Sequence, residues 1–410
     1  MTSQLSKDLT KKLDKKIKKE EGIYFTPVSI IKKTLDRIYE IPNITIKTVL
    51  EPSCGSGDFI KALDERNEET EIEITGIEQN KTIFDEIDQT LKSSCKNSVK
   101  LYHKDYLQWE NEDEQTDGYD LIIGNPPYFV VSKSSVSSDY QDVVDGRPNI
   151  FILFIIHSLY KLSENGILAF VLPRNFTNCI YYSKMRKYIY EKYEIVDILD
   201  CKENDDFADT KQDTLVFIIR KAEERDNSRF AISRNDDIYL HAPEHVKKIN
   251  ELYKGATSLD EMGFDVKVGT VVWNQHKEKL TDDETQTRLI YSGDIKDNRL
   301  EQAKYRDEKK KNYIMKEGHT EPILVINRGY GKGQYVFNYC LIEDEKPYLI
   351  ENHLICIKHK HGLTKKKLQN QYKKIIKSFE NKKTIKFIEL FFGNNAINTT
   401  EMRHVLPMYK

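Results

Sequence analysis

The stretch "VLEPSCGSGDFI" (Val49–Ile60) decides how the first half of the chain is read. A β-rich apolar run ends in Gly55-Ser56-Gly57 and gives way to a helix-forming segment. Two glycines let the backbone turn tightly and bring its amides up to a ligand at a helix N-terminus. A dinucleotide fingerprint wants a third glycine at position 60, where Ile60 stands. No Lys-Ser/Thr pair follows, which excludes a phosphate-cradling P-loop. Taken alone, the pattern also suits a purely structural strand-to-helix turn.

Outward from this turn, short apolar runs alternate with helical segments. Strands are expected at 48–52, 73–78, 99–105, 119–127, 167–173, 194–200 and 214–221. Between them lie "FIKALDERN", "KTIFDEIDQTLKSS", "NIFILFIIHSLYKLSENG" and "YYSKMRKYIYEKY". Near-continuous apolar strands alternating with helices predict an α/β fold with a doubly wound, mostly parallel, seven-stranded sheet. The polar stretch 222–237 breaks the alternation, and shorter mixed signals follow. The expected organisation is a basic N-terminal arm at 1–21, a catalytic domain at 22–237 and a second, α+β domain at 238–410. The Lys-rich residues 7–19 read as a surface helix on that arm.

Composition narrows the classes. Hydrophobic residues make up 39 % and charged residues 32 % of 410 positions, a soluble globular balance. The longest apolar run, around Phe151–Ile156, falls far short of the ~20 residues that span a bilayer. The N-terminus has no apolar core of a secretory signal, so a cytoplasmic location is expected. The six cysteines form no CxxC pair, which speaks against a zinc site or a disulfide framework. The net charge of −2 hides an asymmetry: residues 1–240 hold 33 Lys+Arg and 43 Asp+Glu, residues 241–410 hold 31 and 23. The basic second part is the better candidate to meet a polyanion.

Successive strands end in polar or special residues. After the Gly-x-Gly turn comes Glu78 in "ITGIEQN", twenty-one residues beyond Gly57, where an acid can grip a ribose diol. Asp105 in "LYHKDYLQW" can accept from an exocyclic amine. The fourth strand runs into Asn125-Pro126-Pro127-Tyr128. Two prolines cannot donate to a sheet ladder, so the strand stops there. In open α/β sheets, ligands bind at the carboxyl ends of the strands.

The order "GIYFTPVSI" (22–30), "LEPSCGSGDF" (50–59), Glu78, Asp105 and "NPPY" (125–128) resembles the S-adenosylmethionine-dependent DNA adenine-N6 methyltransferases. With cofactor motifs first and the second domain last, it is similar to the gamma-class, TaqI-like enzymes of restriction–modification systems. The resemblance covers residues 22 to about 221. It implies a Rossmann-like methyltransferase fold and a target-recognition domain at 238–410. It also implies that Tyr24, Thr26, Glu51, Ser53, Gly55, Gly57, Glu78, Asp105 and Tyr106 hold S-adenosylmethionine, Thr26 on the methionine carboxylate. Double-stranded DNA is the implied partner, with a separate cognate endonuclease, and a monomer is expected.

The chemistry of Asn-Pro-Pro-Tyr fits that reading. The adenine N6 lone pair is delocalised into the ring, so the nitrogen must turn toward sp³ character before it can attack a methyl group. The Asn125 side-chain oxygen and the Pro126 carbonyl can each accept one N6–H. Pro126 and Pro127 fix the backbone, so the acceptors need no reorganisation during reaction. Tyr128 can stack on the base, worth ~1–3 kcal/mol. A sulfonium methyl is already activated, so no metal is required. A base inside a duplex has to be flipped out first. The family closes the other face of that base with an aromatic, for which Phe207 is the candidate.

In the second domain, basic and aromatic residues interleave in "INRGYGKGQYVFNY" (326–339) and "KHKHGLTKKK" (358–367). Arg328, Tyr330, Lys332 and Lys365 are candidate DNA contacts. Alternatives within enzymes are a protein glutamine-N5 or an RNA adenine methyltransferase. Outside enzymes, the alternative is a DNA-specificity module with a degenerate catalytic half.

Overall fold

The computed structural model describes residues 2–67, 70–110, 117–132, 134, 136–140, 142–144, 146, 148–201, 213–327, 337–343, 346–393 and 397–409. The chain divides into two compact units, residues 1–233 with 237–243, and 234–236 with 244–410.

The first unit holds helices α1 (Gln4–Lys12), α2 (Lys15–Glu21) and α3 (Val28–Tyr39) ahead of the sheet. Then follow β1 (Thr48–Glu51), α4 (Asp58–Arg66), β2 (Glu73–Glu78), α5 (Lys81–Ser94), β3 (Ser98–His103) and β4 (Tyr119–Gly124). The unit continues with α6 (Ile150–Tyr160), β5 (Leu162–Pro173), α7 (Ser183–Lys192), β6 (Glu194–Asp200) and β7 (Thr214–Arg220). The strand order is β3-β2-β1-β4-β5-β7-β6. Every pairing from β3 to β5 is parallel, and β7 runs antiparallel to both of its neighbours. This is the doubly wound α/β sheet that the apolar runs predict.

Both faces of the sheet are covered, which is why its strands read as unbroken apolar runs. In β4, Leu121 and Ile123 join one core cluster with α1, α3, α4 and α5 residues. Ile122, one residue between them, joins the opposite cluster with α6 and α7. Two details depart from the sequence reading. Helix α6 stops at Tyr160, and Leu162 already pairs with Tyr119. The chain then loops out through Asn165, at φ 64°, before Ile167 resumes the ladder beside Leu121. Strand β4 ends at Gly124, so both prolines lie outside the ladder, as their missing N–H demands.

The residues read as a basic arm are helical. Leu9 is 1 % and Leu13 7 % exposed, both inside the α3–α5 core cluster. Burying one such side chain contributes ~1.5–3 kcal/mol.

The second unit is α+β. One antiparallel sheet has the order Phe264–Val268, Leu354–His359, Ile323–Asn327, Tyr339–Ile342. A smaller mixed sheet has the order Leu280–Thr281, Tyr313–Ile314, Thr287–Ile290, Tyr348–Ile350. Helix Lys365–Phe379 places the buried Tyr372 ring 5.6 Å from Phe264 of the first sheet.

Candidate active site

At the end of β1 the chain folds into the turn that the two glycines allow. Gly55 (φ 51°) and Gly57 (φ 70°) are both left-handed, a conformation other residues adopt only with strain. A Cβ on Gly57 would stand 2.7 Å from Cδ1 of the buried Leu91 of α5, which would have to shift to admit it. The Cys54 amide donates to the Ile77 carbonyl at 2.9 Å and ties the turn to β2.

Glu78, the last residue of β2, holds the turn from below. Its carboxylate accepts the Gly55 amide at 2.9 Å and the Asn80 amide at 2.7 Å. Burial nevertheless pushes its pKa up to about 7, because desolvation outweighs those two amides. Glu51 is 2 % exposed, and burial, with Asp58 and Glu78 close by, raises its carboxyl well above the usual range. One oxygen of Glu51, Oε2, has no hydrogen-bond partner among the described residues.

The turn forms one wall of a cleft of about 600 Å³ counted to its open mouth. Tyr24, Ser53, Gly55, Glu78, Tyr106, Asn125 and Pro127 line it. So do Glu21, Asn80, Lys104 and Phe154, which sequence reasoning did not single out. Asn80 carries a readable signal, an N-cap position that accepts the Ile83 amide at 3.2 Å, and it also donates to Glu21 at 2.8 Å. Glu21 has none, sitting in a Lys-rich run. Tyr106 is fully buried, its hydroxyl 2.9 Å from Ser158 Oγ and its ring 5.0 Å from Phe154.

Asn125 is fixed at three points. Its Nδ2 donates to the Tyr24 carbonyl at 3.0 Å, and its own carbonyl accepts the Ser53 hydroxyl at 3.1 Å. Its Oδ1 lies 2.5 Å from the Tyr128 hydroxyl. That hydroxyl is also 2.7 Å from the Val171 carbonyl, so its single proton serves two acceptors. Burial raises the Tyr128 pKa, which keeps the phenol a neutral donor. The Tyr128 ring stands edge-on to Phe151 at 6.0 Å.

The other sequence candidates fall as follows. Asp105, between Lys104 and Tyr106, caps a short 3-10 turn by accepting the Leu107 amide at 3.0 Å and is not part of the cleft lining. Thr26 is buried, also outside the lining. Lys365 opens its helix in the second unit and is exposed. Phe207, Arg328, Tyr330 and Lys332 lie outside the described residues. Among the described residues, no group of three or more His, Cys, Asp or Glu is placed to hold a metal ion.

Residues 7–207 match the family of Eco57I restriction-modification methylases. The type II methyltransferase M.CvrRI of Paramecium bursaria Chlorella virus XZ-6E is 26 % identical over 357 residues, 86 % of each chain. The modification methylase CviBIII of Paramecium bursaria Chlorella virus NC1A is 26 % identical over 369 residues, 87 % of each chain. Among solved structures, the DrdV–DNA complex shares the fold at a TM-score of 0.52 and 13 % identity, covering 95 % of this chain and 56 % of that one. With its seven-stranded Rossmann-like sheet and these relatives, the chain is similar to restriction–modification methylases.

Proposed function

We propose that the protein is a site-specific DNA methyltransferase, the modification enzyme of a restriction–modification system, that methylates N6 of an adenine flipped out of duplex DNA. The observation that carries this reading is that Gly55 of the Gly-x-Gly turn, Glu78 and Asn125 line one cleft.

S-adenosylmethionine suits the residues present. Glu78 lines the cleft, Glu51 and Asp58 stand close to it, and the buried Oε2 of Glu51 has no hydrogen-bond partner among the described residues. A ligand carrying ammonium and sulfonium charge would favour the ionised form of carboxyls whose burial otherwise holds them protonated. Glu78 would hold the ribose and Asp105 the adenine amine. Tyr24, Thr26, Glu51 and Ser53 would hold the methionine part, and Gly55, Gly57 and Tyr106 would shape the pocket. When bound, the cofactor supplies a methyl group made electrophilic by the positive sulfur.

The chain's own residues prepare the nucleophile. Asn125 Oδ1 and the Pro126 carbonyl each accept one N6–H, turning the nitrogen lone pair out of conjugation. The Tyr24 carbonyl fixes which end of the Asn125 amide is the oxygen, by accepting from Nδ2. The Tyr128 hydroxyl occupies one lone pair of Oδ1 and leaves the other for the base. Pro126 and Pro127 hold this arrangement before substrate arrives, where preorganised acceptors act most strongly. Tyr128 and Phe207 would enclose the base. Residues 238–410, with Arg328, Tyr330, Lys332 and Lys365, would contact DNA and select the sequence.

The test is modified-base sequencing of DNA from cells expressing the chain. N6-methyladenine at one fixed sequence is expected. Methylated cytosine, or methyl groups only on protein or RNA, would overturn the reading.

A further inference from the structure

Helix α1 reaches the cofactor turn through a buried hydroxyl. Ser6 is fully buried, with Oγ 2.8 Å from Ser56 Oγ and 2.8 Å from Asp58 Oδ2. Ser56, the middle residue of Gly55-Ser56-Gly57, is 4 % exposed and lies 2.9 Å from the same Asp58 oxygen. The Ser3 hydroxyl donates to that oxygen too, at 2.9 Å, while accepting the Ser6 amide at 3.1 Å as the cap of α1. Leu9 and Leu13 press the helix onto the cluster that holds Phe59 and Leu63 of α4. Three hydroxyls thus converge on one carboxylate at the first residue of α4.

Besides the backbone tie from Cys54 to Ile77, the turn has two side-chain anchors, and they differ in what a ligand does to them. The first is Glu78, whose carboxylate holds the Gly55 amide. A ribose that hydrogen-bonds Glu78 shares that carboxylate with the turn. The second anchor, α1, grips Ser56 and Asp58, neither of which lines the cleft. Gly55 and Gly57 make the turn soft, because both can leave the left-handed region without strain. A soft turn that lends its first anchor to the ligand depends on the second to keep its amides aimed.

Resting on the cofactor reading above, we propose that Ser6 is a positioning residue for S-adenosylmethionine: α1 uses its hydroxyl to hold the Gly55–Gly57 turn through Ser56 and Asp58. The effect belongs to cofactor affinity. Asn125, which prepares the nucleophile, is held instead by Tyr24, Ser53 and Tyr128.

The experiment is calorimetric titration of the full-length protein and its variants with S-adenosylmethionine, paired with steady-state methyl transfer. Ser6→Ala is expected to raise Kd about tenfold, the size of one lost hydrogen bond to a charged group. Its kcat at saturating cofactor stays within about twofold of the parent. Thr10→Ala is the control: it removes a hydroxyl from the same helix that bonds the Ser6 carbonyl at 2.7 Å, within the helix, and should leave Kd unchanged. Ser56→Ala tests the contact from the turn side, and is the variant to use if Ser6→Ala does not fold. It should raise Kd similarly, and the double variant should add little. An unchanged Kd in folded Ser6→Ala, or an equal rise in Thr10→Ala, would overturn the proposal. A parent that binds no S-adenosylmethionine would instead bring down the cofactor reading on which it rests.

Discussion

Replacing Glu78 by glutamine should change the pH dependence of stability in a defined direction. Glu78 is 8 % exposed, and its burial raises its pKa from 4.5 to about 7. In the folded state the carboxyl therefore keeps its proton over a range where the unfolded chain has lost it. Between about pH 4.5 and 7 the folded protein binds more protons, so stability falls as pH rises. At 1.36 kcal/mol per pH unit, the penalty across that window grows to about 3 kcal/mol and is complete above pH 7. Glutamine keeps one acceptor for the Gly55 or Asn80 amide and cannot ionise. Urea unfolding of both proteins at intervals from pH 4 to 8 isolates this contribution as the difference between the profiles. Glu51 is raised by burial as well, so the wild-type curve alone would mix the two groups. The wild type should lose about 3 kcal/mol more than Glu78→Gln between pH 4.5 and 7. Parallel profiles would refute the claim that Glu78 is held in a desolvated site.

Three further outcomes follow from the geometry. Tyr128→Phe leaves Asn125 Oδ1 and the Val171 carbonyl without the phenol, so it should lower stability by ~1–3 kcal/mol, measured by denaturant unfolding. Gly57→Ala combines a left-handed φ with a 2.7 Å approach to Leu91 and should destabilise by more than ~1 kcal/mol, read from the same transition. Exchanging residues 238–410 for those of a relative with another specificity should move the methylated sequence, and DNA binding should weaken steeply with added salt; unchanged specificity in an active exchange would contradict the assignment.

What could be read from the chain follows physical range. The seven strands were legible because a sheet covered on both faces needs apolar residues at consecutive positions, as in Leu121-Ile122-Ile123. The Gly55–Gly57 turn was legible because backbone constraints are local, and the two prolines marked the end of β4 to within a few residues, the strand stopping at Gly124 rather than at 127. The start of β5 was not legible, since Leu162 pairs before a loop at Asn165-Gly166 that the helical reading ran through. The role of α1 was hidden, because Ser6 meets Ser56 and Asp58 across some fifty residues. A Lys-rich run with leucines at 9 and 13 looks the same on a free surface helix as on a seated one. The Tyr24 carbonyl that orients Asn125 is a backbone atom, so no side-chain pattern announces it. Asp105 was singled out by its place after β3, where the structure shows it capping a turn, a role the sequence reading did not anticipate.

The central claim, that Asn125 prepares an adenine amine for methyl transfer, is tested most directly by single-turnover transfer of labelled methyl from S-adenosylmethionine to a duplex containing the mapped site. Asn125→Ala should bind the cofactor within a few-fold of wild type and lose about 10²–10³ in the rate of transfer, the usual cost of one preorganised hydrogen-bonding group. Near-normal transfer by Asn125→Ala would contradict the account, leaving Asn-Pro-Pro-Tyr as no more than a stiff strand end.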